Sequence, residues 1–171
     1  MPAKEKLFYL RISFSDRRSF LFWLRAWLPV VLAIAVIATE STEYFGADRT
    51  SHPFRLIYEA LFGAVSNADW DNIHHLIRKS GHFIGYGLVG LSWLRAWWMT
   101  LPESKFWQDA LLALLGTAVV ASADEFHQTL LPNRTGLASD VVLDCCGAIV
   151  IQLLVYLIMR VFRPKQLVRA T

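Results

Sequence analysis

The sequence contains little charge and almost no cysteine. Aspartate, glutamate, lysine and arginine make up 18% of its 171 residues, whereas soluble domains usually carry roughly 25%. The two cysteines, Cys145 and Cys146, are neighbours inside one apolar run, and adjacent cysteines rarely form a relaxed disulfide. The composition is therefore not typical of a soluble domain or of a disulfide-stabilised one.

Familiar catalytic and metal-binding motifs are also missing. The chain has neither the H-E-x-x-H pattern of zinc peptidases nor the G-x-S-x-G turn of serine hydrolases. The net charge of +3 comes from basic residues that cluster at the two termini, next to apolar runs, rather than on one patch. We therefore expect no metal, no cofactor and no nucleic-acid partner, and we expect the basic residues to lie at an anionic membrane surface.

Long apolar runs are what the sequence does contain. Hydrophobic residues make up 55% of the chain, and four runs stand out, at residues 20–39, 80–98, 110–123 and 145–159. The third run is only about 21 Å long at about 1.5 Å per residue, short of the roughly 30 Å hydrocarbon layer. Because unpaired backbone groups are costly in lipid, the helices must continue through their polar flanks. The sequence predicts an all-α, polytopic membrane bundle (residues 20–160) with four transmembrane helices at about 20–39, 75–98, 108–131 and 140–160.

The distribution of lysine and arginine predicts the orientation. Most basic residues lie in an N-terminal arm (1–19), between the second and third helices, or in a C-terminal tail (161–171). Cytoplasmic segments carry an excess of lysine and arginine. Both termini are therefore predicted to be cytoplasmic, in the inner (plasma) membrane of the cell. The polar stretch SADEFHQTLLPNRTGLASD, residues 122–140, would then face outward.

An amphipathic segment follows the first apolar run. Between residues 53 and 66, apolar residues recur at helical spacing, namely Phe54, Ile57, Tyr58, Leu61, Phe62 and Val65. This pattern is typical of a helix with one apolar face. The helix is predicted either to lie on the outer surface of the membrane, in contact with lipids, or to pack on top of the bundle.

Polar residues repeat at spacings of three or four on three of the predicted helices. They are Lys79, His82 and Tyr86 on the second helix, Asp124 and Gln128 on the third, and Asp140 and Asp144 on the fourth. Ionised groups that face lipid are costly, so these faces should meet inside the bundle. Asp124 and Glu125 are adjacent, and neighbouring helical residues point about 100° apart. One of these two acids is therefore predicted to face the core and the other the interface.

The same residues carry a resemblance to a known family. The segments KSGHFIGY (79–86), DEFHQ (124–128) and PNRTGLASDVVLDCCG (132–147) resemble, in order and in spacing, the pattern of the VanZ-like family. Two positions depart from that pattern: Asn133 stands where the family often has glycine, and Asp144 stands where it often has asparagine. The resemblance implies a small bacterial integral membrane protein, related to one associated with resistance to the glycopeptide teicoplanin.

Three functions stay open from the sequence. The first is a binding protein whose outward-facing polar pocket takes an anionic envelope ligand, such as a lipid headgroup, a cell-wall precursor or a glycopeptide antibiotic. The second is a hydrolase or transferase that acts on a lipid-linked phosphate, with His82, Asp124 or Glu125 as the acid–base residue. The third is a structural role, in which the acids of the third helix form salt bridges with Lys79 or Arg134. The predicted pocket residues are Lys79, His82, Tyr86, Asp124, Gln128, Arg134, Asp140 and Asp144.

Overall fold

The described residues form five α-helices and a short 3-10 turn. The computed structural model describes residues 19–101, 103–132 and 134–162, so most of the predicted basic arm and basic tail lie outside the described residues. The helices are α1 (Phe20–Glu40), α2 (Ala47–Phe62), α3 (Asn67–Thr100), α4 (Phe106–Thr129) and α5 (Ala138–Val161), and the 3-10 turn is Glu43–Phe45. This part of the chain contains no strand, so the predicted all-α class is confirmed.

Three of the helices, α1, α4 and α5, are long and apolar enough to cross a membrane. The longest helix is α3, with 34 residues, but its glycines, tryptophans and charged residues make it less apolar than the other three. The structure therefore supports a multi-pass membrane protein with three such helices. Membrane crossing by α3, which would be the fourth, stays a prediction.

The boundary between α2 and α3 differs from the sequence prediction. The amphipathic helix predicted for residues 53–66 is shifted towards the N-terminus, because Gly63 has a backbone φ of 90° and ends α2. α3 then begins well before residue 75, since the Ser66 hydroxyl accepts a hydrogen bond from the Asp69 backbone N–H at 3.2 Å. Serine is a favoured N-cap residue, and this cap marks the start of α3 more strongly than the apolar pattern does.

α2 folds back against the first turns of α3. The Trp70 indole N–H donates to the Ser51 hydroxyl at 2.7 Å, and Arg55 donates to Glu59 at 2.9 Å and to Asn67 at 2.7 Å. The helix also exposes large apolar side chains, namely Leu56, Ile57, Leu61 and Phe62. α2 thus packs on α3 with one side and keeps an apolar surface that suits contact with lipid.

Small residues let α3 and α5 approach closely. A Cβ atom on Gly147 would lie 2.1 Å from the backbone oxygen of Phe83, and a Cβ atom on Gly90 would lie 2.6 Å from the Cβ of Ala148. Backbones approach this closely in membranes where glycine and alanine occupy the crossing. The crossing places the polar residues of α3 opposite those of α5.

α1 contains a proline whose effect is compensated by a residue of α3. Pro29 lies inside α1 and has no backbone N–H to bond to the carbonyl of Arg25. The Arg95 guanidinium donates to that carbonyl at 2.8 Å and to the Ala26 carbonyl at 3.3 Å. α1 is thereby fixed against α3 at the end of the bundle that lies away from the polar residues.

Replacing Arg95 with methionine is expected to lower the free energy of unfolding by about 1 kcal/mol, because the Arg25 carbonyl loses its donor. The loss should shrink when Pro29 is replaced by alanine, since residue 29 then supplies the missing N–H. A double-mutant cycle, measured by unfolding in detergent, tests this coupling. Equal losses in the two backgrounds would show that Arg95 does not act on the carbonyl freed by Pro29.

Candidate functional site

The candidate site lies where the hairpin between α4 and α5 meets α3. The hairpin is short, so α4 and α5 are antiparallel neighbours, and residues three or four apart on each helix share a face. The structure brings six of the eight predicted pocket residues into pairs, which are Tyr86 with Asp124, His82 with Asp144, and Lys79 with Asp140. The remaining two, Gln128 and Arg134, take part in other contacts.

The deepest hydrogen bond of the site joins α3 to α4. The Tyr86 hydroxyl donates to Asp124 Oδ2 at 2.8 Å, and both side chains are buried. The second carboxylate oxygen of Asp124 has no hydrogen-bond partner. Tyr86 therefore orients the carboxylate and leaves its other oxygen buried without a donor.

Asp144 is the most buried acid of the site. It is 0% exposed, and neither of its carboxylate oxygens accepts a hydrogen bond. His82 lies beside it, with Nδ1 3.5 Å from Asp144 Oδ1. This distance is too long for a hydrogen bond. The pair thus has no hydrogen bond to stabilise a carboxylate that is removed from solvent.

Lys79 forms an ion pair with Asp140 at the more exposed edge of the site. The sequence also allowed Lys79 or Arg134 to pair with the two acids of α4, but neither pair is formed within the described residues. Lys79 lies opposite the first turn of α5, which contains Asp140, rather than opposite the two acids of α4. The charge of Lys79 is therefore matched by Asp140.

Glu125 is buried, which corrects the prediction that one of two adjacent acids would face the interface. It is 5% exposed, close to the 8% of Asp124. Its Oε2 accepts a hydrogen bond from the Leu137 backbone N–H at 2.7 Å, and a Cβ atom on Gly136 would lie 2.0 Å from the Glu125 backbone oxygen. The hairpin folds over Glu125, so both acids are covered although they point in different directions.

Arg134 ties the hairpin to the end of α1. Its guanidinium donates to the backbone carbonyls of Glu40 at 2.6 Å and Thr42 at 2.7 Å, while its Nε has no hydrogen-bond partner. Burial lowers the pKa of Arg134, and the positive charge of Arg78 lowers that pKa further. Arg78 of α3 therefore lies within electrostatic reach of Arg134.

A narrow cleft opens beside these residues. It has a volume of ≈ 20 Å³ and is lined by Ile37, Glu40, Ser41, His82 and Gln128. A volume of this size holds about one water molecule. The cleft reaches the imidazole of His82, so water can approach the site from this side.

Two further polar residues of the site were not predicted from the sequence. The Ser41 hydroxyl and His127 Nδ1 are 2.9 Å apart and share a hydrogen bond between α1 and α4. His127 lies within the DEFHQ segment, which carries part of the family resemblance, so the sequence could have indicated it as a site residue. Ser41 follows α1 directly, and no spacing in the sequence links it to α4.

The chemistry of the site follows from its donors and acceptors. A histidine beside carboxylates can transfer protons, and nitrogen with carboxylate oxygens can also coordinate a metal ion. One donor atom each from His82, Glu125 and Asp144 lies within 4.8 Å of the others. These three residues belong to three different helices, and this is why no local sequence motif predicted the grouping.

Comparison with known proteins identifies the family. No curated protein and no solved structure matches the chain. The family model described as VanZ/LLP1 matches residues 20–160, which include all five described helices except the last residue of α5. The matched region contains every pair of the candidate site, and the chain therefore belongs to the VanZ/LLP1 family.

Proposed function

We propose that this membrane protein binds an anionic ligand of the cell envelope through Arg78 and Arg134. The proposal is carried by one observation, that neither guanidinium forms an ion pair with a carboxylate in the part of the chain that the structure describes. Both are only partly exposed, and charges removed from water are usually paired. Guanidiniums that form no ion pair suit a phosphate or carboxylate, which arginine binds through two parallel hydrogen bonds.

The ligand would bind at the mouth of the site rather than inside it. The adjoining cleft, at ≈ 20 Å³, is too small for a headgroup. The positive charge of Lys79 is neutralised by Asp140, and the deeper residues include several acids. An anion is therefore expected to contact the two arginines, with Gln128 and His82 as further hydrogen-bonding neighbours.

The proposed orientation brings this mouth to the outer leaflet. If α3 crosses the membrane together with the three apolar helices, the hairpin lies opposite the basic termini, which are expected in the cytoplasm. A lipid headgroup, a lipid-linked cell-wall precursor or a glycopeptide antibiotic would then reach the arginines from outside. Binding of a precursor or of the drug would connect the protein to glycopeptide resistance.

Replacing Arg78 with glutamine is expected to weaken the binding of a fluorescent polyprenyl pyrophosphate about tenfold, because one charge-assisted contact is lost. The measurement is fluorescence anisotropy with the full chain in nanodiscs of zwitterionic lipid. Competition by phosphatidylglycerol, inorganic pyrophosphate or teicoplanin distinguishes the sources of the anion. Arg78 is preferred to Arg134 because Arg134 also holds the hairpin to α1.

Arg49 supplies the matched control. It is an exposed arginine on α2, at the same end of the chain's fold as Arg78, and no ion pair involves it in the described residues. Arg49→Gln removes the same charge and should leave the affinity within about twofold. If Arg49→Gln and Arg78→Gln weaken binding equally, the probe is attracted only by the overall positive potential of the protein, and the proposed site is rejected.

A second candidate function is hydrolysis or group transfer on a lipid-linked phosphate. The observation that favours it is the placement of His82 beside the cleft with Asp144 at 3.5 Å behind it, since a carboxylate can orient an imidazole for proton transfer. In this function Arg78 and Arg134 hold the phosphate. Release of inorganic phosphate from the polyprenyl pyrophosphate, lost in His82→Gln with binding retained, would support the enzyme. Binding of the polyprenyl pyrophosphate without release of phosphate would instead support the binding function.

A further inference from the structure

Below the mouth, the site contains more acceptor atoms than donors. Tyr86 donates to Asp124 and Lys79 pairs with Asp140. The Leu137 N–H donates to one oxygen of Glu125, whereas the other oxygen has no partner. The hydroxyl of Tyr86 and the ammonium of Lys79 are thus engaged, whereas buried oxygens of Asp124, Glu125 and Asp144 remain without a donor.

Asp144 is the strongest sign that a cation belongs at this position. Its side chain is 0% exposed, and both carboxylate oxygens lack a hydrogen bond. An isolated carboxylate in a dry interior is unstable unless a positive charge balances it. The His82 Nδ1 atom, 3.5 Å away, also lacks a hydrogen-bond partner. With its lone pair on Nδ1, the neutral imidazole can share a cation with Asp144, and the ion would satisfy both groups.

We infer that His82, Glu125 and Asp144 bind one divalent metal ion of the Zn²⁺ class. Their donor atoms lie within 4.8 Å of one another. Ligands of tetrahedral Zn²⁺ lie about 2.1 Å from the ion and hence about 3.4 Å apart. His82 Nδ1 and Asp144 Oδ1, at 3.5 Å, are already close to that separation. Two carboxylates and a neutral imidazole also match the charge of a divalent ion.

The surroundings of these three residues resemble those of other metal ligands. The Leu137 N–H holds the second oxygen of Glu125 at 2.7 Å, and such contacts to the remaining atom of a ligand orient it. The cleft that His82 lines is wide enough for a water molecule. Three protein ligands and an accessible water are the arrangement that catalytic zinc sites use. The three proposed ligands are different residues from Arg78 and Arg134, so the metal site does not require an anion at the mouth.

The test is metal binding by the full-length protein in nanodiscs after treatment with EDTA. Isothermal titration with Zn²⁺ should give one ion per chain, and Asp144→Asn should weaken this binding at least about 100-fold, because it removes a charged ligand. Titration with Co²⁺ should give visible absorption bands with the wild-type protein, and this measurement needs no variant to fold. Glu125→Gln provides a second ligand substitution, with the monodisperse protein checked by size-exclusion chromatography.

Asp109→Asn is the matched control for this experiment. Asp109 is also a buried acid on α4, but it lies near the opposite end of that helix, where it accepts a hydrogen bond from Ser104 at 2.6 Å. Its replacement should leave the Zn²⁺ affinity unchanged. The inference is overturned if the wild type binds no stoichiometric Zn²⁺ and shows no Co²⁺ bands, as expected for acids neutralised by protons. It is equally overturned if Asp144→Asn binds Zn²⁺ as tightly as the wild type.

Discussion

Replacing Gly147 with alanine is expected to lower the free energy of unfolding by about 3 kcal/mol. The added Cβ would lie 2.1 Å from the Phe83 backbone oxygen, and the backbone of α3 cannot yield as a flexible side chain can. The two helices must therefore separate, and the dispersion contacts along their crossing weaken together. Unfolding of the purified protein by increasing SDS in a mild detergent measures the loss.

Gly81 provides the control for this substitution. It is a glycine of α3 for which an added Cβ would meet nothing within 4 Å. Gly81→Ala should therefore leave the packing intact and raise the stability by about 0.5–1 kcal/mol, since alanine restricts the unfolded chain. If Gly147→Ala unfolds at the same SDS concentration as Gly81→Ala, then α3 and α5 do not approach as closely as described.

The same crossing connects packing to the candidate site. Gly147 lies one turn after Asp144 on α5, and Phe83 follows His82 on α3. Separating the helices at Gly147 therefore moves His82 away from Asp144. For this reason Gly147→Ala is expected to impair metal binding as well as stability, although residue 147 offers no ligand.

Much of the bundle could be predicted because apolar length and helical spacing are local properties. The runs that predicted α1, α4 and α5 are continuous in the sequence, and lipid requires helices to continue through their polar ends. Spacing also predicted that Tyr86, Asp124 and Asp144 would face the interior. The start of α3 was missed because a hydroxyl cap at Ser66, rather than an apolar pattern, marks it.

The partners within the site could not be predicted in the same way. Spacing gives the face of a helix, whereas the choice of partner depends on the axial offset between helices and on the path of the hairpin. Lys79 had several acids available, and its depth selects Asp140. Glu125 is covered because the hairpin backbone turns back over it. Arg134 bonds to the carbonyls of Glu40 and Thr42, and backbone carbonyls carry no signal in a sequence.

Replacing Tyr86 with phenylalanine is expected to lower the free energy of unfolding by about 2 kcal/mol. The Tyr86 hydroxyl is the donor to Asp124 Oδ2, at 2.8 Å, and Asp124 Oδ1 has no other partner. The variant keeps the ring and its packing but leaves a buried carboxylate without a donor, which costs more than an ordinary hydrogen bond. Unfolding in SDS again gives the measurement. Tyr156→Phe, on α5 towards the other end, should change the stability by less than about 0.5 kcal/mol, because no hydrogen bond involves its hydroxyl in the described structure.

A double-mutant cycle with Asp124→Leu separates the hydrogen bond from the rest of the site. Asp124→Leu alone removes a buried charge but strands the Tyr86 hydroxyl, whereas the double variant removes both partners. The combined loss is therefore expected to be smaller than the sum of the single losses by at least about 1 kcal/mol. Additive losses would show that Asp124 is stabilised by something other than Tyr86. Since Asp124 is not among the three metal ligands, the double variant should still bind Zn²⁺ if it folds, which distinguishes a contact that holds α3 to α4 from one that holds the ion.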